Sequence, residues 1–187
     1  MTLKEMKRKV LGMIEEYNPD SDLLTDDPDI ATKINDVINQ VMFELARMKK
    51  ISKYVEMDVT EGDMVTFEDI EAVVGNEVYQ VGTVTGVDYM PRANGTILKM
   101  LGSGTAEIDC FVYPERIEAT TKDTAYEFEL SPDALEIMPY GVAAHLLLSD
   151  VSAEYGKIYN EEYERRLQRL DPRYQIGAFT VEGGVNI

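Results

Sequence analysis

Apolar residues recur at three and four positions from the start of the chain, where Leu3, Met6, Val10, Ile14 and Tyr17 share one helical face. Thr2 and Glu5 stand ahead of them at capping-box spacing, so a first amphipathic helix is predicted to run to about Tyr17, with "NPDSD" ending it. "TDDPDI" restarts the pattern: Asp27 can cap, Pro28 suits the first helical position and Asp29 complements the helix dipole. Ile30, Ile34, Val37, Ile38, Val41, Met42, Leu45 and Met48 then carry a wide apolar stripe to "ARMKK", which predicts a long, largely buried second helix.

From Ile51 the period falls to two. "KYVEMDVT", "EVYQVGTVTGVDY", "GTILKML", "TAEIDCFVY" and "TAYEFEL" read as short strands, separated by the turn signals "EGD", "VGN", "ANG" and "GSG". Ala106, Ile108, Cys110 and Val112 fall on one strand face, so Cys110 is predicted to pack in a β core. Helical spacing returns at "SPDALEIMPYGVAAHLLLSD", with Ser131 as cap, Pro132 at the first position, and Leu135, Met138, Val142, Leu146 and Ser149 on one face. Pro139 is expected to bend this helix or delay its regular start to near Tyr140, and Gly141 to let another backbone come close. After a break near "LLLSDVSA", Tyr155, Tyr159, Tyr163, Leu167 and Leu170 predict one face of a last helix, stopped by "DPR".

These elements predict an α+β chain: a four-helix unit with an antiparallel β-subdomain inserted between helices 2 and 3. The expected boundaries are a helical pair at 1–51, the β-subdomain at 52–130, a second helical pair at 131–170 and a flexible tail at 171–187. The tail, "YQIGAFTVEGGVNI" after "DPR", has no period and reads as a frayed terminus or a binding arm.

Composition narrows the function classes. The formal charge is −17, and residues 51–130 hold 16 acidic against 5 basic side chains. That balance opposes tight contact with nucleic-acid phosphates, which needs clustered Lys and Arg, although acidity also simply keeps a surface solvated. One cysteine and one histidine exclude an internal disulfide and a Cys/His zinc site. No apolar run reaches 18 residues and the N-terminus lacks a signal-peptide pattern, so a protein made in the cytoplasm, with no membrane partner, is expected.

Candidate chemistry is sparse. His145 has a reference pKa suited to acid–base work, but no nucleophile elbow or acid partner accompanies it, and it reads as a packing or interface residue. Carboxylate pairs in "DMVTFEDIEA" and "AEIDC" occur at the density that 35 acids produce by chance, and "NPDSDLLTDD" lacks the calcium-loop glycine and final glutamate. "GSGTAE" has no following Lys-Ser/Thr and reads as a hairpin turn. No catalytic residue, cofactor or metal is expected. The tyrosines Tyr140, Tyr155, Tyr159 and Tyr163, with Gly141 and His145, are the candidate packing or interface residues.

The segments "PDIATKINDVINQVMFELARM", "LSPDALEIMPYGVAAHLLLSD" and "YNEEYERRLQRLDPR" resemble the head-to-tail connector (adaptor) proteins of tailed bacteriophages and prophages. The matching positions are Tyr140, Gly141, Val142, Ala143, Ala144, Asp150, Tyr159, Tyr163, Leu167 and Leu170, a packing pattern confined to the helical stretches. The resemblance implies a structural virion protein without catalytic activity, a ring subunit at the head–tail junction. Such a subunit joins the portal protein to tail or neck proteins and extends the DNA channel, and it can be a monomer when free. It further implies that the tail docks on the portal, through Tyr174, Ile176, Phe179 and Val181. A tail-completion or neck protein, and a non-viral carbohydrate- or peptide-binding module, are the alternative readings.

Overall fold

A computed structural model describes residues 1–148 and 153–170 of the chain. Helix α1 (Leu3–Met13) starts at the Thr2–Glu5 capping box, in which each side chain accepts a bond from the other residue's backbone N–H. It stops short of Tyr17, because Glu15 turns left-handed at φ 62° and Glu16 N–H closes back onto the Leu11 carbonyl at 2.9 Å. This is a Schellman-type end built without glycine. Helix α2 (Pro28–Met48) begins where Asp27 accepts bonds from Asp29 and Ile30 N–H.

The strands are β1 (Ile51–Val59), β2 (Met64–Thr66), β3 (Val78–Thr85), β4 (Tyr89–Arg92), β5 (Ile97–Met100) and β6 (Gly104–Val112). They form two antiparallel sheets, ordered β1-β6-β3 and β2-β5-β4. Between β2 and β3 lies a further helix, α3 (Phe67–Val74); after β3 to β6 a return segment, residues 113–131, leads to α4 (Pro132–Leu148) and α5 (Ala153–Leu170).

The expected four-helix unit with one inserted β-subdomain is therefore overturned. Five α-helices and two small sheets form among the described residues, and a helix sits inside the stretch read as purely β. The physical cause is local. Thr66 and Asp69 make a second capping box, Ile70 is fully buried, and Gly75 ends the helix at φ 76°. "TAYEFEL" is likewise no strand of a sheet; it makes one isolated bridge, Glu127 to Thr2.

The inner faces of both sheets and Ile70 share one core, which holds Val55, Ile108, Cys110, Leu98 and Met100. A second core joins α1, α2, α4 and α5 with Tyr113, Ile117, Tyr126, Phe128 and Leu130 of the return segment. That segment is tied to the helices by polar contacts. Asn39, buried in α2, donates to the Ile117 carbonyl at 2.8 Å and accepts from Ile117 N–H at 2.9 Å. Lys7 reaches both Asp123 oxygens at 2.9 Å, and Leu3 N–H donates to the Tyr126 carbonyl.

Phe43 of α2, Tyr79 of β3 and Tyr113 bring β3 onto the helical core, with ring centroids 4.8 and 4.7 Å apart; Tyr79 donates its hydroxyl to the Ala46 carbonyl at 3.1 Å, and Ile51 packs against both cores. Helix α4 is the central element, packed against α1, α2 and α5. Its burial extends well beyond the one stripe predicted, taking in Ala134, Ile137, Met138, Pro139, Gly141, Val142, Ala143, Ala144 and Leu147. Pro139 stands inside the continuous helix, so the delayed start near Tyr140 does not occur. Among the described residues no helix is long and apolar enough to cross a membrane.

Candidate functional site

The residues singled out on α4 and α5 meet along one seam. Gly141 faces the Tyr163 ring so closely that an added Cβ would lie 2.8 Å from Cε2. Tyr163 is buried, and its hydroxyl continues past α4 to donate to Glu44 Oε2 of α2 at 2.8 Å. Burial first, then the bond to Glu44 and the charge of that carboxylate, hold the Tyr163 phenol far above its ordinary range. One side chain thus pins three helices.

Tyr140, half-buried one residue before the glycine, carries the Arg166 guanidinium 4.2 Å above its ring. Arg166 is held there by Glu162 at 2.5 Å, and the hydrogen bond from Arg166 is the main reason the Glu162 carboxyl sits below its usual range. Tyr159, one turn before Tyr163, donates to the Met13 carbonyl at 2.5 Å and closes α5 onto the end of α1. Tyr155 behaves differently. It is 66% exposed, beside Ile158 at 61%, at the rim of a 240 Å³ cleft that Met13, Ile14 and Leu147 also line.

His145 is half-buried and lines an open cleft of about 810 Å³ between α2, α4, α5 and the start of the return segment. Glu44, Arg47, Arg116, Tyr113 and Asn160 share that lining. Glu44 is already committed to Tyr163, and Arg47 contacts the Tyr113 hydroxyl and stacks on its ring. Among the described residues no Ser, Thr, Cys or Lys lines the cleft; beside Tyr113 and Tyr163 its ionisable groups are His145, the carboxylates Glu44, Glu77 and Glu164, and the two arginines. Among the described residues no group of three or more His, Cys, Asp and Glu side chains is arranged to hold a metal ion. Cys110 packs in the β core with its sulfur 3.6 Å from the Lys53 carbonyl, and burial pushes its thiol up and away from the reactive thiolate.

Part of the acidity of the middle of the chain gathers on one sheet face. On the solvent face of the β1-β6-β3 sheet, Glu56 and Asp58 of β1 stand beside Glu107 and Asp109 of β6, all exposed. Glu56 is directly opposite Glu107, and Asp58 opposite Thr105, whose hydroxyl donates to it at 2.8 Å. None of the four forms a salt bridge with a described residue.

The arm residues Tyr174, Ile176, Phe179 and Val181 lie outside the described residues, as does Asp150. Glu44 is the site residue that periodicity passed over. Its only signal is a polar position beside the apolar stripe of the second helix, and no local pattern pairs it with a tyrosine 119 residues away. A scan of protein-family models and a search of curated proteins each return no match to this chain.

Proposed function

We propose that this chain is a structural subunit of the head–tail junction of a tailed bacteriophage or prophage, a connector that joins the portal to the tail and extends the DNA channel. The observation that carries the reading is the seam between α4 and α5. The residues that bear the connector resemblance, Tyr140 to Ala144 with Tyr159 and Tyr163, are the ones through which α4 becomes the central helix of the helical core. They do the work of burial, as an assembly subunit requires.

The overall charge supports the same role. A chain of net charge −17 repels a phosphate backbone, so DNA can slide past its surface and is not trapped on it. In this reading the protein is made in the host cytoplasm and ends in the virion, it has no catalytic role, and residues 171–187 dock on the portal.

Mixing the purified chain with the portal protein of the same phage tests the proposal, with light scattering coupled to size exclusion as the readout. A complex larger than either component is expected, together with no measurable shift of double-stranded DNA anisotropy. Absence of that complex at every salt concentration, with residues 171–187 intact, overturns the connector. Binding to a tail component alone, with no portal complex, moves the assignment to a neck or tail-completion protein.

A further inference from the structure

The two sheets turn their inner faces to one shared core, so their solvent faces lie on opposite sides of the β part. Those faces carry opposite charge. On the β1-β6-β3 sheet the outward positions hold Glu56, Asp58, Glu107 and Asp109, with Tyr54 at 53% exposure among them. One cation, Lys50, stands at the end of that face next to α2, above the Phe111 ring.

On the β2-β5-β4 sheet, Leu98 and Met100 point inward, which sends Ile97 and Lys99 outward. The cross-strand neighbours of Lys99 are Met64 on one side and Met90 on the other, and the neighbour of Ile97 on β4 is Arg92. The outward positions of this face hold two cations among Met64, Met90, Ile97 and Thr66, and the one carboxylate at its edge, Asp69, is taken up by the Thr66 hydroxyl and N–H. Met64 and Met90 are exposed, and neither Lys99 nor Arg92 makes a salt bridge with a described residue.

We infer that the cationic, methionine-rich face of one copy of this chain docks on the acidic face of another. Because the two faces lie on opposite sides of one molecule, the contact is head-to-tail, and repetition leads to a ring or an open filament and not to a closed pair. The face pairing stands on the sheets alone, while its place in a ring at the head–tail junction rests on the connector reading.

Magnitude sets the expected strength. Three strands about 4.8 Å apart and four residues at about 3.4 Å each give a patch of roughly 200 Å². A standard stable interface buries about 800 Å² per partner, so one such contact is weak and the free chain stays largely monomeric at low concentration. Copies held side by side by another component would add such contacts at high effective concentration. The −17 charge also repels whole molecules, so association should peak near about 0.1 M salt, where the Debye length is about 10 Å, and vanish near about 1 M, where it is about 3 Å.

Sedimentation of the full-length chain over a wide concentration range tests this, followed by zero-length carbodiimide crosslinking at the highest concentration. The wild type should rise above 21.1 kDa with concentration, and Lys99 should crosslink between copies to Glu56, Glu107 or Asp109. E56K/E107K on one face, or R92E/K99E on the other, should each weaken association by at least about 10-fold through like-charge contact. The variant carrying all four changes should recover it, and so should an equimolar mixture of the two single-face variants. Circular dichroism checks that each variant folds. A wild type that stays at 21.1 kDa under all conditions, single-face variants that associate as well as it does, or a four-change variant that stays monomeric would each overturn the pairing. A portal complex formed by a chain that fails these tests would leave the connector standing and reject only this interface.

Discussion

A methyl group added at Gly141 would sit 2.8 Å from Cε2 of Tyr163, closer than packed Cβ atoms come to a neighbour. The ring has little room to retreat, since Tyr163 is buried and its hydroxyl is held by Glu44. Gly141→Ala gains about 1 kcal/mol of helix propensity, but overpacking a filled core costs about 1–3 kcal/mol. A net loss of up to about 2 kcal/mol is expected in urea denaturation. Gly12→Ala is the control: it lies in α1 with nothing within 4 Å of the new methyl, and it should stabilise by about 0.5–1 kcal/mol.

Tyr163→Phe keeps the ring against Gly141 and removes only the bond to Glu44. A hydrogen bond to a charged acceptor contributes about 1.5–3 kcal/mol, and the exposure of Glu44 puts this one at the low end. Denaturation should show a loss of about 1.5 kcal/mol. The same variant combined with Gly141→Ala should lose less than the sum, because a ring released from Glu44 is freer to move away from the methyl.

Asn39→Ala should cost more than either, about 2–4 kcal/mol. It strands a buried backbone N–H and C=O of Ile117 together, in a segment that has no sheet to satisfy them. Hydrogen exchange of the Ile117 amide should accelerate well beyond that of α2, which would locate the damage in the return segment.

The contrast between these residues shows how far the chain can be read without coordinates. Period and caps located α1, α2 and four of the strands, because Thr2, Asp27 and the alternation of β1 and β6 act over a few residues. Helix α3 has the same kind of signal, Thr66 with Asp69 and a stop at Gly75, but it is only eight residues long, lies between strands and buries a single side chain, Ile70, so it shows no helical period. Gly141 reads as a point where another backbone comes close, but what meets it is a side chain, the Tyr163 ring. That partner is not legible, since nothing local says that Tyr163 lies over it or that Glu44 waits beyond. The centrality of α4 is a tertiary fact of the same kind, written in small residues whose neighbours are far away in the chain.

Tyr54 offers a titration on the acidic face. Partial burial, a 2.9 Å hydrogen bond to Glu56 and the charges of Glu107, Glu56 and Asp109 push its phenol up to about 12. A raised folded-state value means that the neutral phenol is favoured by folding. Its contribution is intact below the ordinary tyrosine range near about 10 and is lost as pH climbs through 12. The difference in 295 nm absorbance between wild type and Tyr54→Phe should show a midpoint near 12, and Glu56→Gln should bring it down. A midpoint at the ordinary value would mean that the carboxylates around Tyr54 do not act on it.

Glu56 and Glu107 face each other directly across β1 and β6, an arrangement that works against the sheet itself. Glu56→Lys turns the pair into an attraction and forfeits only an exposed hydrogen bond from Tyr54, a bond of the kind that contributes little at a surface. The melting temperature should therefore rise, by an amount that shrinks between about 10 mM and 0.5 M salt as the charges are screened. The same substitution should weaken association between copies. Stability and assembly moving in opposite directions from one exposed residue would mean that the like-charge pair is kept for what docks on it, since the fold alone is better off without it. A melting temperature that falls, or a gain insensitive to salt, would remove the electrostatic basis for reading this face as an interface.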